Sequence, residues 1–150
     1  MLHLNIGDKA PEFNALDHKG NQIYLSGFLG KKVVLYFYPR DNTPGCTLEA
    51  CNLRDNYYDL MAQGYVVLGI SADNEKSHQS FAEKFDLPFP LLVDTEKKII
   101  ADYGVWGPKK FMGKSFDGVL RTTFIISEKG IIEDIITKVD TKNHTSQILK

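Results

Sequence analysis

The sequence has only two cysteines, Cys46 and Cys51, with one tryptophan and three methionines among its 150 residues. Two cysteines are too few for a small scaffold stapled by disulfides and point instead to metal or redox chemistry. No apolar run approaches the ~20 residues that a membrane helix requires. The start of the chain, Met1 to Asp8, has neither the basic opening nor the apolar stretch of a secretory signal, so the cytoplasm is the expected compartment. Neither sign of charge dominates: 18 Lys and Arg against 19 Asp and Glu leave a formal charge of −1. That excludes the basic face of a nucleic-acid binder, and the pairs Lys31-Lys32, Lys97-Lys98 and Lys109-Lys110 read as solvated surface. Internal repeats, low-complexity tracts and linkers are also missing, so the expectation is one domain over residues 1–150.

What is present alternates between strand and helix patterns. Lys32 to Tyr38 is a β-branched and aromatic run that reads as a strand buried on both faces, stopped by Pro39. Turn formers fill Asp41 to Gly45. Cys46 to Met61 reads as one helix, with Leu48, Leu53, Tyr57, Leu60 and Met61 at helical spacing. Tyr65 to Ile70 is a second buried strand, and Asp73 or Asn74 caps a helix that runs to about Phe85. A short strand from Phe89 to Val93 and a short helix from Glu96 to Tyr103 follow. Thr122 to Ser127 and Ile131 to Thr137 form a hairpin around Glu128-Lys129-Gly130. This order predicts an α/β fold of the thioredoxin-like kind: a central mixed β-sheet flanked by helices, with an N-terminal β-strand extension near Phe13 and Ile23.

The chemistry concentrates in Pro39-Arg40-Asp41-Asn42-Thr43-Pro44-Gly45-Cys46. A thiol is placed where the carboxyl end of a strand turns into a helix, the usual position of a crevice in an open α/β sheet. Unpaired N–H groups in the first helical turn favour the thiolate there, while a small buried hydrophobe is the alternative reading of a free cysteine. Cys51 lies five positions along the same helix, a rise of roughly 7.5 Å and a turn of about 140°. A disulfide between the two requires that helix to unwind. The spacing is not Cys-x-x-Cys, and with His3, His18, His78 and His144 dispersed in the sequence the pair makes a poor zinc site.

Pro39-x-x-x-Thr43-x-x-Cys46, with Arg121 in Arg121-Thr122-Thr123-Phe124, resembles the peroxiredoxin active-site pattern. Cys46-Thr47-Leu48-Glu49-Ala50-Cys51 and the stretch from Tyr103 to Lys114 are similar to the bacterioferritin comigratory protein (PrxQ) branch, and the likeness covers essentially the whole chain. The resemblance implies a thiol-dependent peroxidase acting on hydrogen peroxide and organic hydroperoxides without a cofactor. It implies Cys46 as nucleophile and Cys51 as the resolving thiol in a transient disulfide, with thioredoxin as electron donor and a monomer as the working form. Arg121 would donate to sulfur and peroxide, Thr43 would orient the peroxide, Gly45 and Cys46 would offer N–H groups, and Pro39 would wall the pocket.

Each partner also has a plainer reading. Thr43 reads as a helix cap, Pro44 and Gly45 as turn residues, Pro39 as a strand stop, and Arg121 or Arg40 as surface arginines. Glu49 reads as a helix-surface carboxylate, with a contact to the Arg121 guanidinium as its alternative. Gly113-Lys114-Ser115 mimics the end of a phosphate loop, but the glycine spacing is wrong. Trp106, Phe111 and Phe116 read as loop packing near the site. A general thiol–disulfide exchanger and a redox sensor remain as competing functions on the same fold.

Overall fold

The computed structural model describes residues 3–150, apart from the Phe111 side chain, so Met1 and Leu2 lie outside the described residues. In chain order the elements are β1 (Asn14–Leu16), β2 (Gln22–Tyr24), a short 3-10 turn (Leu25–Phe28), β3 (Lys32–Phe37), α1 (Pro44–Asp55), α2 (Tyr57–Ala62) and β4 (Tyr65–Ser71). Then come α3 (Glu75–Lys84), β5 (Leu91–Val93), α4 (Lys98–Asp102), β6 (Trp106–Phe111), β7 (Lys114–Val119), β8 (Thr122–Ile126), β9 (Ile132–Ile136) and α5 (His144–Leu149).

The central sheet has five strands in the order β5-β4-β3-β8-β9. β3 pairs parallel with β4 and antiparallel with β8, which makes the sheet mixed. This is the thioredoxin-like arrangement expected from the order of elements, and the β1–β2 hairpin forms the N-terminal extension.

Alternation along β3 divides the interior into two layers. Val33, Leu35 and Phe37 face one side, with Leu68, Ile70, Ile99, Ile100, Tyr103 and Phe124. Val34, Tyr36 and Tyr38 face the other, where Cys46, Ala50 and Leu53 of α1 pack with Phe81, Phe89 and Ile148. A strand covered on both faces has no polar side to offer, which is why β3 reads as a continuous apolar run. Cys46 therefore belongs to the α1 side of the sheet, held in place by that layer.

Three expectations need correction. The helix read as continuous from Cys46 to Met61 is broken at Asn56, whose side-chain amide donates to the Asn52 carbonyl at 2.8 Å and competes with the helical ladder. Leu48 and Met61, two of the residues at helical spacing, are exposed. The segment around Trp106 to Phe116 is no loop: β6 and β7 pair antiparallel, joined through Met112 and Gly113, both at positive φ. A two-residue turn with both central residues left-handed matches the twist of a hairpin, so Gly113-Lys114-Ser115 is turn and strand rather than a phosphate cradle. Trp106 and Phe116 are partly or half exposed on that hairpin, and Lys97 stacks its ammonium over the Trp106 ring. The Phe111 part of that reading lies outside the described residues. Helix α5 has no counterpart among the elements expected from the sequence.

Candidate active site

Helix α1 opens directly after the loop that leaves β3. Thr43 occupies its cap position, but the hydroxyl does not cap; it donates to the Arg40 carbonyl at 3.0 Å. Its single proton is thereby committed, leaving the oxygen lone pairs as acceptors. Pro44 stands at the first helical position, where a missing N–H costs nothing. With no side-chain cap, the N–H groups of Gly45 and Cys46 have no intrahelical acceptor. Pro39 is half-buried where β3 ends.

Arg121 is distant in sequence and adjacent in space. Phe37 pairs with Thr122 across β3 and β8, so the residue just before β8 arrives beside the carboxyl end of β3. From there Nη2 lies 3.2 Å from Cys46 Sγ, and Nη1 donates to Glu49 Oε1 at 2.7 Å. Gly45 leaves room for this approach: a Cβ there would sit 3.2 Å from Arg121 Nη2, a tight contact that would push the guanidinium by a few tenths of an ångström. Burial opposes the guanidinium charge, but Cys46 and Glu49 beside it outweigh that and hold its pKa above the ordinary value.

Glu49 is the main correction at the site. It is 0% exposed, not a surface carboxylate. The buried residues of α1 are Cys46, Glu49, Ala50 and Leu53, spaced i, i+3, i+4 and i+7, so Glu49 shares the inward face with the thiol. A carboxylate on an apolar helical stripe was the available signal. Burial pushes its carboxyl up to about 7, although the neighbouring Arg121 charge and hydrogen bond pull the other way.

Cys46 is buried and Cys51 half-buried; both are free thiols within the unbroken turns of α1. The structure thus brings together Cys46, Gly45, Arg121 and Glu49, places Thr43 and Pro39 on the approach to that helix, and keeps Cys51 apart from Cys46. Lys109 of β6, read from the sequence as solvated surface, is instead half-buried and donates to the Val119 carbonyl at 2.9 Å, and burial lowers its pKa while the Cys46 sulfur nearby opposes the shift.

A second constellation anchors the loop before α1. Asp41 accepts from Tyr38 Oη at 2.6 Å and Ser77 Oγ at 2.8 Å, and meets His78 Nδ1 at 2.7 Å. The Asp41 N–H donates to Asp73, which also accepts from Ser71 Oγ. Asp41, Asp73 and His78 converge closely enough to resemble a metal site. Each is already satisfied by protein partners, however, and His78 Nε2 meets the Leu92 carbonyl at 2.8 Å and is therefore a donor. The cluster fits a loop anchor better than a set of vacant ligands. The sequence marks Asp41 only as a turn former and Asp73 only as an alternative to Asn74 for the α3 cap, a place Asn74 takes.

A thiol held against a guanidinium at the N-terminal turn of a helix, on this fold, defines a thiol-dependent peroxidase. Residues 6–135 match the AhpC/TSA family, and the chain belongs to it, in the branch of the bacterioferritin comigratory peroxiredoxins. It is 45% identical over 149 residues to Peroxiredoxin Bcp of Escherichia coli (strain K12), covering 99% of this chain and 96% of that protein. Peroxiredoxin Bcp of Bacillus subtilis (strain 168) is 42% identical, with 99% and 95% covered. Among solved structures, Peroxidoxin BcpB from Mycobacterium tuberculosis superposes with a TM-score of 0.86 at 34% identity, over 98% of this chain and 95% of that one. A PrxQ mutant from Xylella fastidiosa gives a TM-score of 0.92 at 29% identity, over 99% and 95%.

Proposed function

We propose that Cys46 is the nucleophile of this peroxidase and Cys51 its resolving thiol, with thioredoxin or a similar dithiol protein as reductant. The observation that supports the reading most directly is Arg121 Nη2 at 3.2 Å from Cys46 Sγ while Glu49 fixes the same guanidinium from behind. The Cys46 thiolate attacks the terminal oxygen of a hydroperoxide, an S–O bond forms, the O–O bond breaks, and the departing oxygen takes a proton to leave as alcohol or water. Sulfur is oxidised and peroxide reduced by two electrons. Charge shifts from sulfur to the leaving oxygen, and donors that reach both ends, Arg121 and the N–H groups of Gly45 and Cys46, favour that transition state. Thr43 accepts from the peroxide O–H through its free lone pairs, and Pro39 shields the sulfenic acid from water.

Cys46–SOH then condenses with the Cys51 thiol to a disulfide, releasing water. The two residues are five apart in an α-helix, roughly 8–9 Å between Cα atoms, so α1 unwinds for this step. An external dithiol reduces the disulfide, and α1 re-forms. In this reading the working unit is a monomer, one domain over residues 1–150 in the reducing cytoplasm, which suits two free thiols.

Steady-state peroxide consumption with thioredoxin, thioredoxin reductase and NADPH tests the assignment. Cys46→Ser should abolish turnover, and retained turnover would overturn the role of Cys46. Cys51→Ser should accumulate a trappable sulfenic acid and lose thioredoxin-driven cycling. Mass spectrometry of the peroxide-treated chain should find the Cys46–Cys51 disulfide; if thioredoxin recycles Cys51→Ser normally, resolution lies elsewhere.

A further inference from the structure

Two buried side-chain oxygens have no hydrogen-bond partner among the described residues, Tyr36 Oη and Glu49 Oε2. The second is the unused half of the carboxylate that holds Arg121. It faces His144 Nε2 at 3.5 Å, too far for a good hydrogen bond but with nothing between to replace one. His144 is itself 0% exposed and opens helix α5.

The protonation of that ring follows from its other neighbours. Gln147 Oε1 accepts from the Asp140 N–H at 2.9 Å, and Gln147 Nε2 donates to the Lys138 carbonyl at 2.9 Å. Backbone groups cannot exchange these roles, so the Gln147 amide has a single orientation. His144 Nδ1 meets the same Oε1 at 2.8 Å and must therefore carry a proton. In the neutral ring Nε2 is then a bare acceptor, and it takes the Thr123 hydroxyl proton at 2.7 Å. An ionised Glu49 would turn an unpaired, buried oxygen toward that nitrogen lone pair, and such an oxygen is costly. One proton on either atom removes the conflict.

We propose that His144 is a positioning residue for peroxide reduction, sharing one proton with Glu49 so that the carboxyl group holds Arg121 against Cys46. This rests on the peroxidase reading of Cys46. The groups that face the pair are Arg121 ahead of β8, Cys46 on the same face of α1, Tyr36 from β3 and Asp140 beside α5, while Lys109 from β6 stands behind Arg121 and Cys46. Burial raises the Glu49 pKa and lowers that of His144, which places the shared proton on Glu49. With Glu49 neutral, the full guanidinium charge is available to sulfur; once the proton leaves, the carboxylate takes part of it. The singly protonated pair is accordingly the faster form.

The test is the single-turnover rate of the reduced, full-length protein with hydrogen peroxide between about pH 5 and about pH 9, for wild type and His144→Gln. The wild-type profile should carry an inflection near neutral pH from the proton of the pair. His144→Gln should move that inflection by about half a unit or more and slow the reaction about fivefold on its acid side. A profile superimposable on wild type overturns the proposal. Should His144→Gln not fold, Gln147→Leu frees the ring from outside the pocket and should move the same inflection. Imidazole nitrogen NMR of the wild type supplies an independent readout: His144 should be protonated at Nδ1 at every pH, and a ring protonated at Nε2 alone overturns the proposal. Wild type that consumes no peroxide refutes the peroxidase reading instead, so the two failures are distinct.

Discussion

Two buried carboxylate–histidine pairs flank the start of α1, and they are finished differently. Asp41 and His78 fill every position: Tyr38 on one carboxylate oxygen, Ser77 and His78 on the other, and the Leu92 carbonyl on the far side of the ring. Glu49 and His144 leave one oxygen without a hydrogen-bond partner among the described residues, and the contact between them stretches to 3.5 Å. A fully satisfied buried network fixes a conformation, whereas a partly satisfied one holds a group whose proton and position can change. The satisfied pair ties down the loop that precedes the thiol, and the unsatisfied pair stands directly behind the arginine that touches it.

Breaking the satisfied pair should have the largest effect. His78→Leu removes one partner from a buried carboxylate and leaves Asp41 Oδ2 with only Ser77, which should destabilise the fold by about 3–5 kcal/mol in chemical denaturation. A loss below about 1 kcal/mol would show that the Asp41 network is not under load. Next in size is Arg121→Gln, which keeps a donor but removes the charge from Cys46 and Glu49 together. Its rate with peroxide should fall by about two to three orders of magnitude, with the denaturation midpoint changed little. A midpoint that drops along with the rate would make Arg121 a structural residue first.

The contrast between the pairs also marks what the sequence could tell. The alternating, doubly apolar run of β3 and the helix–strand order were enough for the sheet, because those patterns are local. The β6–β7 hairpin escaped because its strands are largely exposed and its turn uses Met112 where Asn or Gly would signal one. Helix α5 escaped because six residues are too few for a period, and it is held by distant groups such as Asn52. At the site, Cys46, Thr43 and Arg121 stood out by pattern. Glu49 reads as a surface carboxylate when taken singly, and its burial follows only from its place at i+3 from the thiol on a buried stripe. His144 and His78 could not be found, since their partners lie far off in sequence and only folding sets their distances.

Glu49 allows the unsatisfied pair to be probed through stability. An acid raised to about 7 in the folded state binds its proton more tightly folded than unfolded. The contribution is therefore fully present below the unfolded value near 4.5, is lost as pH rises to about 7, and is flat beyond. Burial lowers the His144 pKa, so that ring works in the opposite direction on the acid side. Glu49→Gln keeps the shape and one acceptor for Arg121 while removing the titration. Its unfolding free energy should decline less between those pH values than that of wild type, and its rate with peroxide should lose the inflection that the Glu49 proton gives the wild-type profile. Parallel stability curves for the two proteins would mean that Glu49 does not titrate in this window.

The smallest expected effect lies where α1 meets the segment carrying His144. Asn52, next to Cys51, accepts from the Thr145 N–H at 2.8 Å and donates to the Lys142 carbonyl at 2.9 Å. Both bonds join α1 to the chain around α5, and both must break if α1 unwinds to bring Cys51 to Cys46. Asn52→Ala removes them while touching neither thiol nor Arg121. A partly exposed pair of this kind contributes about 1 kcal/mol. If the intact helix feels that contribution and the unwound one does not, unwinding becomes about fivefold more favourable. Disulfide formation after a peroxide pulse, followed by quenching and mass spectrometry, should accelerate by that factor, while the first step, sulfenic acid formation, keeps its rate. A disulfide that forms no faster in Asn52→Ala would mean that the α1–α5 clamp survives resolution and that the helix opens only at its N-terminal turns. A slower first step would mean instead that the clamp holds Glu49 in register, tying Asn52 to the unsatisfied pair.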